Sequence, residues 1–351
     1  MAAVGSRVTS ISWAVAGGLA AWTVARVAAA DRVRRTEATV VPLLSFTPQV
    51  ARVAPWAALA LRLSGRRRAA ATAAVAAAAL GLMVRTRAVP RGEQGASGPM
   101  LRVLSSNMYF GRADAELLVA RVRQLSADVL FLQELTADAV TRLKRAGLDD
   151  LLPYSQLDLR GGSSGSGIYS RFPLREGPAI GHTNMAQPTA LAELPGGDRC
   201  ELICVHPAPP NLARRGGAAR WRQELGVLPP PGDQPRVLAG DFNASLDHAA
   251  FRAVLRLGYK DAALRLGRAL TPTWGPPGRR AVLTLDHVLV TGPCDVLDYS
   301  VHVIPGTDHR AVFAEVQLPV RCHHFSSGPL RVSDKGGGDR AESGEPGPGV
   351  R

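Results

Sequence analysis

The chain has 351 residues, 46% of them apolar, and a formal net charge of +13 at pH 7. That length allows one large domain with extra segments, and its four cysteines, Cys200, Cys204, Cys294 and Cys322, follow neither a zinc-finger nor a disulfide-scaffold spacing. The positive charge alone does not argue for nucleic acid, because Lys is confined to Lys144, Lys260 and Lys335, and much of the Arg flanks apolar segments in the first hundred residues.

Residues 1–90 read as a membrane anchor of about three transmembrane helices. Ile11 to Ala30, about 20 residues, carries Arg26 as its one charge and matches the length that crosses a bilayer. Val40 to Leu61 is a second candidate, interrupted by Arg52, Pro42, Pro48 and Pro55. Ala69 to Val84 is a third, shorter and Ala-rich. Trp13, Trp22 and Trp56 suit membrane interfaces. Two other readings exist: an Ala-rich soluble helical domain, and a signal peptide cleaved after Ala28-Ala29-Ala30. Arg7 and Arg66-Arg67-Arg68 fall on one side of a three-span layout; Arg32, Arg34, Arg35, Arg85, Arg87 and Arg91 fall on the other, so the positive-inside rule gives no vote on orientation.

Residues 91–100, RGEQGASGPM, read as a polar, Gly-rich linker. Residues 101–320 have globular composition, and residues 321–351 read as a disordered tail in which His323-His324 is an incidental pair. Within the globular part LRVLSSNM, DVLFLQEL, GSGIYSR, ALAELPGGDRCELICVH and PRVLAGDF are strands, with PGGD as a hairpin turn. AVLTLDHVLV and HRAVFAEVQL are late strands. Asp114 to Leu125, Ala218 to Leu228 and Ala249 to Leu257 carry helical spacing. Cys200 and Cys204, four strand residues and roughly 13 Å apart, are core residues rather than a disulfide. Many strands with a few helices predict a two-layer sheet sandwich with helices outside.

Polar, chemistry-bearing residues recur at the strand ends. Asn107 closes LRVLSSN, Glu134 closes VLFLQE, and His206 closes LICVH. Asp241 and Asn243 close RVLAGDFN, two residues apart on an extended chain and so aimed at one spot, with Gly240 and Ala244 small enough to admit a ligand. Asp286 lies in LTLDHVLV, and Asp308 with His309 precedes the last strand. His287 alternates to the face opposite Asp286. Ser170 and Arg171 are expected near the site; Trp274, Arg279 and Arg280 are candidate substrate contacts.

SSNMYFG, LQEL, GSGIYSR, VHPAPP, GDFNAS, TLDHVLV and GTDHRAVFAEV, in that order, resemble the endonuclease/exonuclease/phosphatase family, the DNase I-like fold. The resemblance covers residues 101–320 and implies an α/β, four-layer αββα sandwich, with Mg²⁺, or Mn²⁺ in its place, at one end of the packed sheets. It implies that Glu134, Asp308 and the Asn107 amide oxygen ligate the metal. Asp241 would orient and deprotonate the attacking water, and Asn243 would hold that water or a phosphoryl oxygen. His309 would donate to the phosphoryl group, Asp286 would fix the His309 tautomer, and His206 would be a second donor.

Three functions compete: a phosphatase acting on a membrane lipid phosphate or pyrophosphate, a nuclease, and a non-catalytic membrane-tethered binding module. Every catalytic position is filled by a workable residue, which argues against the module. LQELT lacks the lysine that follows LQE and threonine in abasic-site nucleases of this family, which argues against a nuclease. The layout is similar to a bacterial membrane branch linked to glycopeptide-antibiotic resistance and associated with undecaprenyl pyrophosphate. By that resemblance the expectation is a multi-pass cell-membrane protein with an extracytoplasmic catalytic domain.

Overall fold

The computed structural model describes residues 2–33, 37–92, 95–210 and 216–320, the side chains of 2–9, 37 and 38 aside. The expected tail at 321–351, with Cys322 and His323-His324, lies outside the described residues, as do Arg34 and Arg35.

Four helices open the chain: α1 (Ala2–Val27), α2 (Glu37–Leu44), α3 (Thr47–Leu63) and α4 (Arg67–Arg85). Ala16, Ala58, Ala69 and Ala73 are buried where α1, α3 and α4 meet, and their small side chains let the helices approach closely. Trp56, Leu63, Val75 and Leu82 point outward, each at least two-thirds exposed. Among the described residues one helix, Arg67–Ala88, is long and apolar enough to cross a membrane. The expectation of about three transmembrane helices is therefore not supported. The span expected over Val40–Leu61 breaks at Ser45-Phe46, where Pro48 sets the first turn of a new helix. That helix, α3, has 17 residues and carries Arg52 and Arg62. The helix that qualifies contains the short Ala-rich candidate.

The rest of the described chain alternates strands and helices. β1 (Met100–Asn107), α5 (Ala115–Gln124), β2 (Val129–Gln133), α6 (Ala137–Arg145), α7 (Leu148–Leu151), β3 (Tyr154–Asp158) and β4 (Ser166–Ser170) come first. Then come β5 (Leu174–Glu176), β6 (Thr189–Glu193), β7 (Arg199–Val205), α8 (Gly217–Gly226), β8 (Arg236–Asp241) and α9 (Ala249–Arg256). β9 (Tyr259–Asp261), α10 (Ala262–Arg265), β10 (Asp286–Thr291), β11 (Asp295–Val303) and β12 (Arg310–Gln317) complete it.

Two six-stranded sheets result, in the orders β11-β12-β1-β2-β4-β3 and β5-β6-β7-β8-β10-β9. Each has one parallel pair near its centre, β1 with β2 and β7 with β8, and is otherwise antiparallel. The central strands are apolar on both faces because both faces are covered. Val103, Val129 and Phe131 face the second sheet, where they meet Leu202, Val237 and Val288. Leu104, Leu130 and Leu132 turn to the other side and pack on Leu118, Val122 and Leu143 of α5 and α6. Trp221 and Phe251 of α8 and α9 cover the second sheet. The layers are helix, sheet, sheet, helix, as the strand pattern predicts. The edge strands β3, β5, β9 and β11 lie outside the strands expected from the sequence.

Cys200 and Cys204 are buried and free as expected, and Cys294 is too. The expected linker is tied down along its described part. Ala96 N–H donates to Asp295 Oδ2 at 2.6 Å, and Gly98 N–H to Leu318 O at 2.9 Å.

Candidate active site

The topology brings the strand-end residues together. Asn107 and Glu134 follow the parallel pair β1 and β2 out at the same end of their sheet. His206 and Asp241 do the same for β7 and β8. β10 runs antiparallel to β8 with Asp286 opposite Asp241, which returns a second carboxylate to that end. β12 runs antiparallel to β1 and starts just after Asp308 and His309. Glu134, His206, Asp241, Asn243, Asp308 and His309 line one cavity of about 390 Å³. Ser170 and Arg171 do not belong here. β4 is antiparallel to β2 with Val129 opposite Ser170, so YSR lies at the far end of the sheet, where Arg171 meets Asp128. Arg279 and Arg280 are exposed and do not line the cavity.

The GDFN segment differs in detail from an extended exit. Asn243 has φ 48°, the left-handed region that Asn tolerates, and Asp241 Oδ1 accepts its N–H at 2.8 Å. Both side chains still reach the cavity, but through this turn rather than through strand alternation. Gly240 does not make room for a ligand. A Cβ there would stand 1.9 Å from Val205 O, so the glycine lets β7 and β8 lie together at their ends.

Glu134 also has a left-handed backbone, φ 54°, which is strained for a residue with a Cβ. Its Oε2 accepts Phe110 N–H at 2.8 Å and its Oε1 accepts Asn107 Nδ2 at 3.3 Å. Asn107 Nδ2 also donates to Asp241 Oδ2 at 3.2 Å, while Oδ1 accepts Tyr109 N–H at 2.9 Å. Asn107 thus faces the carboxylates with its nitrogen. The oxygen expected to ligate the metal accepts from Tyr109 here and keeps a second lone pair.

His309 Nδ1 donates to both oxygens of Asp286, at 2.9 and 3.1 Å, and its Nε2 lies 3.6 Å from Asp241 Oδ2. Burial alone would lower its pKa, but Asp286, then Asp241 and Asp308, raise it to about 10. His309 is therefore a cation at neutral pH. His206 is the opposite case. Burial outweighs the attraction of Asp241, 4.0 Å away, and takes it down to about 4, so it is neutral and can donate from one nitrogen only. Burial, then the charge of Asp286, pushes Asp241 up against the pull of His309 and His206.

Trp274, the candidate substrate contact, lines the cavity. Its Nε1 donates to Asp308 Oδ2 at 3.0 Å, orienting that carboxylate. Thr273 Oγ1 accepts the N–H groups of Leu285 and Asp286, and Thr307 Oγ1 links His309 N–H to Asn107 O. No sequence signal marked these supports or the Phe110 amide; TPTW is a loop motif without periodicity. His287 faces away as expected, bonded to Asp261 and Ala244 O.

The donor set fits a divalent cation. Asp308 Oδ1 is buried without a hydrogen-bond partner, beside a cavity it shares with Glu134. Burial, with a smaller push from Asp241, raises the Glu134 pKa despite its two hydrogen-bond donors and the attraction of His309. Carboxylate oxygens around such a cavity suit Mg²⁺ or Mn²⁺. Asp241, Asp286 and His309 also place one ligand atom each within 4.8 Å of one another. That mixed set suits a transition metal better than Mg²⁺, and its imidazole is already hydrogen-bonded to Asp286.

Two covered sheets with buried carboxylates and an imidazolium converging at one end define a DNase I-like scaffold bearing a phosphoesterase-type site. The model of the Endonuclease/Exonuclease/phosphatase family matches residues 104–309, and the chain belongs to that family, one of hydrolytic, divalent-metal-dependent phosphoesterases. The fold is similar to that of an endonuclease/exonuclease/phosphatase from Beutenbergia cavernae DSM 12333, at 18% identity and a TM-score of 0.50 over 63% of this chain and 72% of that one. It is also similar to D. rerio TDP2 complexed with a single-strand DNA product, at 19% identity and a TM-score of 0.50 over 62% of this chain and 98% of that one. No curated protein matches the chain.

Proposed function

We propose that the protein is a membrane-held, divalent-metal-dependent phosphohydrolase acting on a lipid-linked phosphate or pyrophosphate, such as undecaprenyl pyrophosphate. The observation that carries the hydrolase reading is the shared cavity: Glu134 and Asp308 open onto the space that Asp241 and His309 also line, with Asp286 holding His309 from behind. Glu134 and Asp308 would hold the cation, which supplies positive charge against phosphoryl oxygens. Asp241 orients the attacking water and takes its proton. Asn243 spends one Nδ2 hydrogen on Pro207 O and keeps the other for that water or a phosphoryl oxygen. His309 donates from Nε2 as negative charge develops, and Asp286 fixes its tautomer and stabilises its cation. His206 is a neutral second donor.

The lipid reading draws on the apolar α4 and on the outward apolar side chains of the helices around it. A site held at a bilayer meets lipid head groups at high effective concentration. We place the catalytic domain on the extracytoplasmic side of the cell membrane. Purified protein with Mg²⁺, offered undecaprenyl pyrophosphate, a phosphodiester lipid and plasmid DNA in parallel, tests the substrate. Phosphate release from the pyrophosphate is the expected result. Nicked DNA without such release would make it a nuclease, and no hydrolysis of any of the three would favour a binding module. Protease added to intact cells should remove the catalytic domain; full protection would reverse the orientation.

A further inference from the structure

One wall of the catalytic cavity comes from outside the family-matched region. α2 ends at Leu44 and α3 starts at Thr47, so Ser45 and Phe46 form an elbow, and Pro42, Ser45 and Phe46 line the cavity together with the catalytic groups. The elbow is held firmly. His248 is fully buried, and its Nδ1 accepts Ser245 N–H at 2.9 Å. Its proton therefore sits on Nε2, which donates to Val41 O at 2.7 Å. Thr47 Oγ1 donates to Leu44 O and accepts from Trp22 Nε1. The neighbouring Asp247 accepts from Arg26 and Arg87, and Asp31 accepts the first amides of α9. Residues 245–249 directly follow the turn that carries Asp241 and Asn243. The segment that sets the catalytic groups thus also sets the elbow.

The cavity lining is chemically mixed. Glu134, Asp241, Asp308 and His309 supply charged groups, Pro42, Phe46, Met185, Pro209, Leu283 and Leu285 apolar ones, and Ser45, Tyr109 and Ser163 stand among the polar groups. Phe46 remains 38% exposed although its neighbours in the wall, Leu283 and Leu285, are buried. A nucleotide or sugar would place hydroxyls and ring nitrogens against Phe46, Leu283 and Leu285, whose side chains have no hydrogen bond to give, and an unpaired polar group is costly. An apolar chain on the phosphate would instead remove the exposed part of Phe46 from water.

Resting on the phosphohydrolase reading above, we propose that the α2–α3 elbow, with Phe46 at its tip, is the specificity-determining wall of this active site and seats the apolar group attached to the reacting phosphate. The N-terminal helices thereby complete the substrate site as well as holding the domain at a membrane.

The test uses the full chain in detergent with Mg²⁺ and two substrates that share a head group, farnesyl pyrophosphate and isopentenyl pyrophosphate. Phe46→Ala should lower kcat/KM for the farnesyl compound about tenfold, mainly through KM, and change that for the isopentenyl compound less than about twofold. Phe46→Leu, which keeps an apolar tip, should restore most of the farnesyl activity. Equal losses on both substrates, or none on either, would overturn the wall. The affinity of a non-hydrolysable farnesyl bisphosphonate is measured in the same variants. If the wild type released no phosphate, the hydrolase reading would fail, while a bisphosphonate Kd that weakens in Phe46→Ala and recovers in Phe46→Leu would still support the wall. An unchanged Kd would overturn it whatever the turnover.

Discussion

Asp247→Asn probes the joint between the N-terminal helices and the catalytic domain. Asp247 is fully buried and accepts from Arg26 Nε at 2.7 Å and from Arg87 Nη1 at 2.8 Å; the arginine side chains are 13% and 5% exposed. Removing the carboxylate charge leaves two nearly buried guanidinium groups without their counter-charge, which costs about 3–5 kcal/mol. For the Met1–Val320 unit an unfolding entropy of about 0.7 kcal/mol/K follows from the per-residue average, so Tm should drop by roughly 4–7 °C. Burial alone would raise the Asp247 pKa, but Arg87 and then Arg26 hold it below the ordinary carboxylate value. Because the folded pKa is depressed, the stabilisation is complete above the unfolded value of about 3.9 and is lost as pH falls through the folded one. Thermal unfolding followed by tryptophan fluorescence should therefore show a full gap between wild type and variant at pH 7 that narrows in strong acid. A Tm change under about 1 °C at pH 7, or a gap independent of pH, would mean that the Asp247 charge does not stabilise this joint.

Asp286→Asn should lower kcat by about 100-fold or more with little change in KM, and should bring the pH above which His309 loses its proton down from about 10; steady-state pH profiles measure both. Trp274→Phe keeps the ring but removes the N–H that orients Asp308, so the Mn²⁺ concentration for half-maximal rate should rise roughly tenfold; an unchanged metal dependence would count against that role. Gly240→Ala forces a Cβ to within 1.9 Å of Val205 O at a φ of 153°, and should cost several kcal/mol, about 3 or more, visible as lost soluble expression or a collapsed Tm.

Much of the catalytic domain was legible because its central strands carry their signal locally. Val129 to Leu132 is a continuous apolar run followed by Gln133 and Glu134, and a strand covered on both faces is written that way. The site residues were legible because parallel strands bring their C-terminal ends together, so Asn107, Glu134, His206 and Asp241 share one end without any local contact. The edge strands β3, β5 and β9 were not legible. They are short, and two of them are largely exposed, so no apolar period marks them. Ser170 was misplaced because the direction of β4 depends on its partner, which sequence does not state. The seating of Phe46 in the cavity depends on His248 meeting Val41 across more than 200 residues, a contact no window of sequence contains.

On the proposed mechanism Glu134 and Asp308 hold one divalent cation in the catalytic cavity. Mn²⁺ binding to the purified full chain, followed by the loss of the free-ion electron paramagnetic resonance signal, tests it directly. One Mn²⁺ per chain is expected for the wild type, with binding weakened at least about tenfold in both Glu134→Gln and Asp308→Asn and competed by Mg²⁺. Wild-type affinity in both variants, with affinity lost instead in Asp286→Asn, would move the ion to the Asp241–Asp286–His309 cluster and rule out Glu134 and Asp308 as its ligands.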